Sequence, residues 1–247
     1  MVVGSNPTRS TLHKHMDNTA ERIRKDLRNA ADTSRVPVLQ RFFKTGPGQY
    51  GEGDVFIGVT VPQARKLAKL YRSSDLDAVS ELLDSKVHED RLVGLLILLR
   101  KYNSGENGIA EFYLEHLGRV NNWDLVDLTS PGILGPHLVG KSRSMLYKFA
   151  KSENLWERRV AIVATYHFIR ANDFADTLKI AELLLGDNHD LIHKATGWML
   201  REVGKRNVCV LETFLDHHYA EMPRTMLRYA IERLPERKRK FYLSRCP

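Results

Sequence analysis

Cysteine is almost absent: Cys209 and Cys246 are the only two in 247 residues. That excludes a disulfide framework and fits a reducing compartment, so a cytoplasmic protein is expected. No apolar run approaches the roughly 18 residues that cross a membrane. The densest one, residues 92–99, is bracketed by Arg91 and Arg100. The N-terminus lacks a charged segment leading into an apolar core, so no secretory signal is read. No stretch alternates polar and apolar residues with period two, which leaves strands without a pattern to form on. Cysteine and histidine never occur at zinc spacing. His189 and His193 lie four apart, but no Glu stands between them and no third ligand is evident, so neither metal nor cofactor is expected.

What is present in excess is positive charge, and it is unevenly placed. The chain carries a formal +8. Residues 1–44 hold nine Lys/Arg against four Asp/Glu, and residues 224–247 hold eight against two. The ends are therefore +5 and +6 and the middle −3, a distribution suited to gripping a polyanion at its flanks. A merely solvated surface would read the same way.

Helical periodicity runs through most of the chain. Residues 1–10 have none and are read as a disordered extension. Residues 11–31 and 34–44 read as helices, the second with Val36, Leu39, Phe42 and Phe43 on its apolar face. Residues 46–51 match G-x-G-x-x-G, yet a helix rather than a strand precedes them, and Pro47 among glycines makes a loop. Thr60 then caps a helix with Pro62 in its first turn, running to residue 72. Further helices are expected near 75–85, 88–103, 107–119, 122–139, 142–151, 154–171, 173–186, 189–205, 208–220 and 223–234. Pro131, Gly132, Gly135 and Pro136 are expected to kink or interrupt the fourth of these.

A repeat underlies the helices. Arg91-Leu-Val-Gly94, Arg159-Val-Ala-Ile162, Lys194-Ala-Thr-Gly197 and Arg228-Tyr-Ala-Ile231 start 68, 35 and 34 residues apart, and the copy skipped in the first interval falls at Leu125. A period of about 34 means stacked helix pairs, an all-α solenoid in which one helix of each pair lines a concave face. The repeated cations would align there, or would snorkel at the solvent edge. Beside the skipped copy, Trp123 and Asp127 lie one helical turn apart. An indole and a carboxylate on one face, in a cationic protein, suit a cation or a cationic transition state. As the start of an ordinary helix, the same pair would be a core indole and a dipole-facing acid.

Four segments in order resemble the AlkD-like DNA alkylation repair glycosylases, which are built from HEAT-like repeats: residues 56–62 (FIGVTVP), 122–127 (NWDLVD), 155–162 (LWERRVAI) and 194–202 (KATGWMLRE). The resemblance spans roughly 35–235 and implies one HEAT-like domain over 11–247. It implies that Asp127 is the catalytic carboxylate, with Trp123 and Trp198 as the concave-face indoles and Arg159 as a phosphate contact within the catalytic set. Arg158, Lys194, Arg201, Arg228 and Phe42 are expected to meet DNA with Arg159. The chain has Asn122-Trp123 where relatives often carry two tryptophans, and Phe42 where a tyrosine is common.

The implied activity is hydrolysis of the N-glycosidic bond of cationic alkylpurines in duplex DNA, initiating base excision repair, by a monomer without a membrane partner. Alkylation at N3 or N7 makes the base a leaving group that needs no proton, so a fixed carboxylate can serve the oxocarbenium-like sugar and orient a water. Indole faces can pack on the cation. The alternative is a non-catalytic repeat module that binds DNA or a protein. Arg237-Lys238-Arg239-Lys240 reads equally as a tail or as a DNA contact.

Overall fold

Helices pack against one another in two layers, as the 34-residue period requires. The computed structural model describes residues 19–244. The chain runs α1 (Thr19–Asn29), α2 (Val36–Phe42), α3 (Val61–Leu70), α4 (Leu76–Leu83), α5 (His88–Asn103), α6 (Ile109–Glu115), α7 (Trp123–His137) and α8 (Ser144–Ala150). It continues through α9 (Leu155–Ala164), α10 (Tyr166–Arg170), α11 (Ala175–Leu183), α12 (Asp190–Arg206), α13 (Val208–His218), α14 (Arg224–Ala230) and α15 (Glu236–Ser244). Along one layer α3, α5, α7, α9, α12 and α14 each pack on the next, while α4, α6, α8, α11 and α13 back them. Among the described residues no strand forms, and only Val55 and Val87 make an isolated bridge. The all-α solenoid is the fold adopted, and the sequence repeat falls on successive helices of the first layer.

The repeat's small residues have a packing reason. A Cβ on Gly197 would come within 2.4 Å of the Met226 carbonyl oxygen and 2.5 Å of Tyr229 Cβ, so α12 and α14 approach backbone to side-chain stem. On α7, a Cβ on Gly135 would meet His167 Cβ at 2.5 Å, and one on Gly132 would meet Leu99 Cδ1 at 2.6 Å. Of the kink or interruption expected at Pro131 and Pro136, no interruption forms: α7 runs through both prolines as one helix.

Other boundaries also differ. The helix read over 154–171 divides at buried Thr165, whose hydroxyl (2.6 Å) and backbone N–H (3.2 Å) both bond the Ile162 carbonyl and tighten that turn. Helix α2 buries none of its residues: Phe42 is 60% exposed, and only Phe43 at its end is buried. Residues 237–240 lie on α15, which no periodicity announced because its basic run obscures a helix anchored by buried Tyr242. The extension read over 1–10 and the first part of the helix read over 11–31 lie outside the described residues.

A polar cluster is buried where α5 begins. His88, Glu89, Asp90 and Arg91 are all under 5% exposed, so burial there depends on every charge finding a partner. Glu89 accepts from the backbone N–H groups of Ile57, Gly58 and Val59 at 2.9–3.2 Å. Asp90 accepts from the Ser85 hydroxyl at 2.6 Å. Arg91 donates to Asp54 at 2.5 Å and to the Ser85 carbonyl, so this first repeated cation is buried and does not face the concave surface. His88 bridges Asp124 (2.8 Å) and Asp54 (3.3 Å), and Asn122 donates to Asp54 at 3.0 Å. The cluster thus pins residues 54–59 and the start of α7 to α5.

Two outcomes follow. Replacing Gly197 with Ala should destabilise the fold in urea denaturation. Overpacking costs about 1–3 kcal/mol and here meets backbone, whereas the helix propensity gained is about 1 kcal/mol. The second concerns pH. Burial opposes charging His88, but Asp124 and Asp54 prevail and raise it from 6.5 to about 9. A raised folded pKa gives stability that is complete below about pH 6.5 and is lost as pH rises towards 9. The amount is on the order of 3 kcal/mol for that shift. Denaturation at pH 6, 7.5 and 9 should show this decline, and His88→Gln should flatten it.

Candidate functional site

The concave side of the first layer holds a groove of about 850 Å³. Phe42, Tyr50, Trp123, Asp127, Arg159, Lys194, Trp198, Arg201 and Tyr229 line it, contributed by α2, the loop after it, α7, α9, α12 and α14. All four residues of the expected catalytic set are therefore gathered on one surface, although 71 positions separate Asp127 from Trp198.

Asp127 and Arg159 form its floor. Arg159 Nε donates to one carboxylate oxygen at 2.9 Å and its Nη2 to the other at 2.8 Å, a bidentate pair. A third N–H, from Nη1, reaches the Leu191 carbonyl at 2.6 Å. The guanidinium side chain is 6% exposed and the carboxylate 17%, so the acid is the member that meets the groove. Three of the five N–H donors of Arg159 are thereby engaged by protein. The geometry is that of a fastener for Asp127, with two N–H donors of the expected phosphate contact left over. Burial pushes the Asp127 carboxyl up from its ordinary value of 3.8; Arg159 pulls it down and Asp124 pushes it up further.

Trp123 is backed by a column of rings. Its indole stacks on Phe43 at 5.0 Å and 9°, Phe43 on Phe56 at 4.8 Å, and Phe56 on His88 at 4.5 Å. Phe42 meets the indole edge-on at 5.6 Å. Stacked and edge-on ring pairs at these separations favour a single indole orientation. Asn122 starts the helix, its side chain accepting from the Trp123 N–H at 2.9 Å. Trp198 is fixed differently, its Nε1 donating to Glu202 at 3.1 Å.

The sequence missed Tyr50. The glycine-rich loop folds back so closely that a Cβ on Gly51 would lie 2.4 Å from the Phe43 carbonyl oxygen, and this return sets Tyr50 in the groove with its hydroxyl on the Phe42 carbonyl at 3.3 Å. Gly51 was the available signal. Trp156 is half-buried and meets the Tyr50 ring at 6.0 Å. His189 caps α12, accepting from the Leu191 N–H, and His193 bonds the Asp187 carbonyl.

The expected DNA contacts divide. Lys194 and Arg201 line the groove, but Lys194 pairs with Asp190 at 2.7 Å and Arg201 with Glu232. Arg158 lies off the groove lining, held by Asp187 at 2.6 Å and by the Ser152 and Glu153 carbonyls. Arg228 is exposed and lies off that lining too. Two cations that the repeat did not mark, Arg41 and Lys44, stand exposed at the groove's margin.

The family model described as "DNA alkylation repair enzyme" matches residues 23–234. Among solved structures, one described as a predicted DNA alkylation repair enzyme from Enterococcus faecalis superposes with a TM-score of 0.68 at 16% identity. That match covers 83% of this chain and 97% of the other, and at such identity it speaks for the fold alone. Among curated proteins the chain finds no match. Matched over nearly its whole length, the chain belongs to the DNA alkylation repair enzyme family.

Proposed function

We propose that the groove is the active site of a DNA glycosylase that releases cationic N3- or N7-alkylated purines from duplex DNA and so initiates base excision repair. The observation that carries this reading is the Asp127 carboxylate, held in both oxygens by Arg159 and facing a groove that Trp123 and Trp198 also line. The family's description supports alkylated DNA as the substrate class.

The chemistry asks little of an acid. As the C1′–N bond breaks, its electron pair leaves with the base, which becomes neutral, and positive charge develops on the sugar. A carboxylate fixed before the reaction stabilises that charge without reorganising. It also orients a water whose oxygen bonds to C1′ and whose proton is then lost. Indole faces attract the cationic base or sugar. Arg159 serves here by holding the carboxylate in place and opposing its protonation. Tyr50, Phe42 and the exposed Arg41 and Lys44 would meet the nucleotide strand at the margin.

Asp127→Asn keeps the shape and removes the charge. Base release from methylated duplex DNA should fall by on the order of 10²-fold or more. Binding should hold or tighten, because a carboxylate facing phosphates repels them. The wild-type rate should rise with pH as Asp127 loses its proton, with the acid limb lying above the ordinary carboxylate value of 3.8. That limb should be missing from the residual activity of the variant. Unchanged excision with a lowered melting temperature would make Asp127 a structural acid and favour the non-catalytic module.

Duplex affinity should also fall steeply with salt, the logarithmic slope being about −0.9 per phosphate neutralised. Fluorescence anisotropy across a potassium chloride series measures it. Salt-independent binding would instead point to a protein partner.

A further inference from the structure

Beyond the groove, α14 and α15 enclose a second cleft, of about 450 Å³, lined by Arg224, Arg228, Tyr229, Glu232, Arg239 and Leu243 among others. We propose that this cleft is a phosphate site, taking a backbone phosphodiester of the strand that leaves the groove. The inference rests on the duplex-binding reading above and adds a second anchoring point to it.

Four observations carry it. First, three arginines line one small cleft, and the one carboxylate among the lining residues, Glu232, is engaged by Arg201 from α12. Second, Arg228 and Arg239 meet no acceptor among the described residues, and Arg224 reaches only the Leu243 carbonyl, at 3.3 Å. Three cations with one carboxylate shared elsewhere leave an excess of like charge, and an anion between them relieves it. Third, the basic run on α15 is sorted by its surroundings. Lys238 pairs with Glu212 and Lys240 with Glu236, while Arg239 lines the cleft. Fourth, Tyr229 lines both the cleft and the groove, so the two are adjacent and one strand can pass from one to the other.

The ligand's class follows from the donors. Planar guanidinium forks match the tetrahedral oxygens of a phosphate in pairs, and three of them favour it over a carboxylate. Such an oxyanion reaches the cleft either as part of a nucleic-acid backbone or as free phosphate. Continuity with the groove favours the backbone.

The test uses the full chain and an Arg228→Gln/Arg239→Gln variant, titrated with an undamaged duplex of about 20 base pairs across a potassium chloride series; the length is chosen to extend about two helical turns. Neither arginine has a hydrogen-bond or ion-pair partner among the described residues, so the variant's melting temperature should equal the wild type's. Its affinity should be roughly ten-fold weaker or more, the scale of charge-assisted bonds lost. The salt slope should become shallower by about 0.9 for each phosphate contact removed. Equal affinity and equal slope would overturn the cleft proposal and leave the groove reading standing. A wild type that binds no duplex at low salt would overturn both. Inorganic phosphate is the second probe. If it raises the melting temperature of the wild type and not of the variant, while the duplex slopes coincide, the cleft serves a small phosphorylated ligand and the strand assignment is wrong.

Discussion

One guanidinium joins three repeats. Arg159 stands on α9, grips Asp127 on α7 with two N–H groups and bonds the Leu191 carbonyl on α12 with a third. The site depends on this because a solenoid offers no pocket of its own: neighbouring helices only line a curved surface, and a carboxylate there would swing freely. A buried pair that loses one member typically costs 3–5 kcal/mol, since the other charge is left unmatched. The floor of the groove is therefore also a seam of the fold, and the position of the acid is fixed by the stacking of the helices.

The same economy appears at Trp123. Its indole leans on a ring column that ends at His88, and His88 is held by two carboxylates beneath. Residues 54–59, with little regular structure of their own, are drawn in because Glu89 collects three of their backbone N–H groups. Buried charge on α5 thus determines how an exposed aromatic face is presented. An alternative core of apolar residues could pack as well, but it could not capture the N–H groups of an irregular segment.

How far the sequence disclosed this differs by residue. The helices and the 34-residue repeat were legible because periodic burial writes itself into residue order. Asp127, Trp123, Arg159 and Trp198 were legible through a family resemblance, and the groove they share follows from the repeat. The buried role of Arg91 was not, because Arg91 and Arg159 occupy the same repeat position and only their neighbours, Asp54 in one case and Asp127 in the other, tell them apart. Tyr50 was hidden in a loop, where no period operates. The pairing of Lys194 with Asp190 and of Arg201 with Glu232 shows why a list of cations overstates the charge a surface presents. Arg228 and Arg239 carry more weight than the count of basic residues at the C-terminal end suggests.

Pro131 gives α7 a mechanical property. Proline has no N–H, so the carbonyl of Asp127, four residues earlier, lacks its helical donor. The rungs of a helix resist bending collectively, and a missing rung is a point of compliance. Beyond it, Gly132 and Gly135 seat the second half of α7 tightly against Leu99 and His167. Before it, the first half carries the indole and the carboxylate. Elastic give in this helix is therefore concentrated between the seated half and the half that meets the groove, so a load applied to Trp123 or Asp127 is taken up at that rung before it reaches the packing of the solenoid.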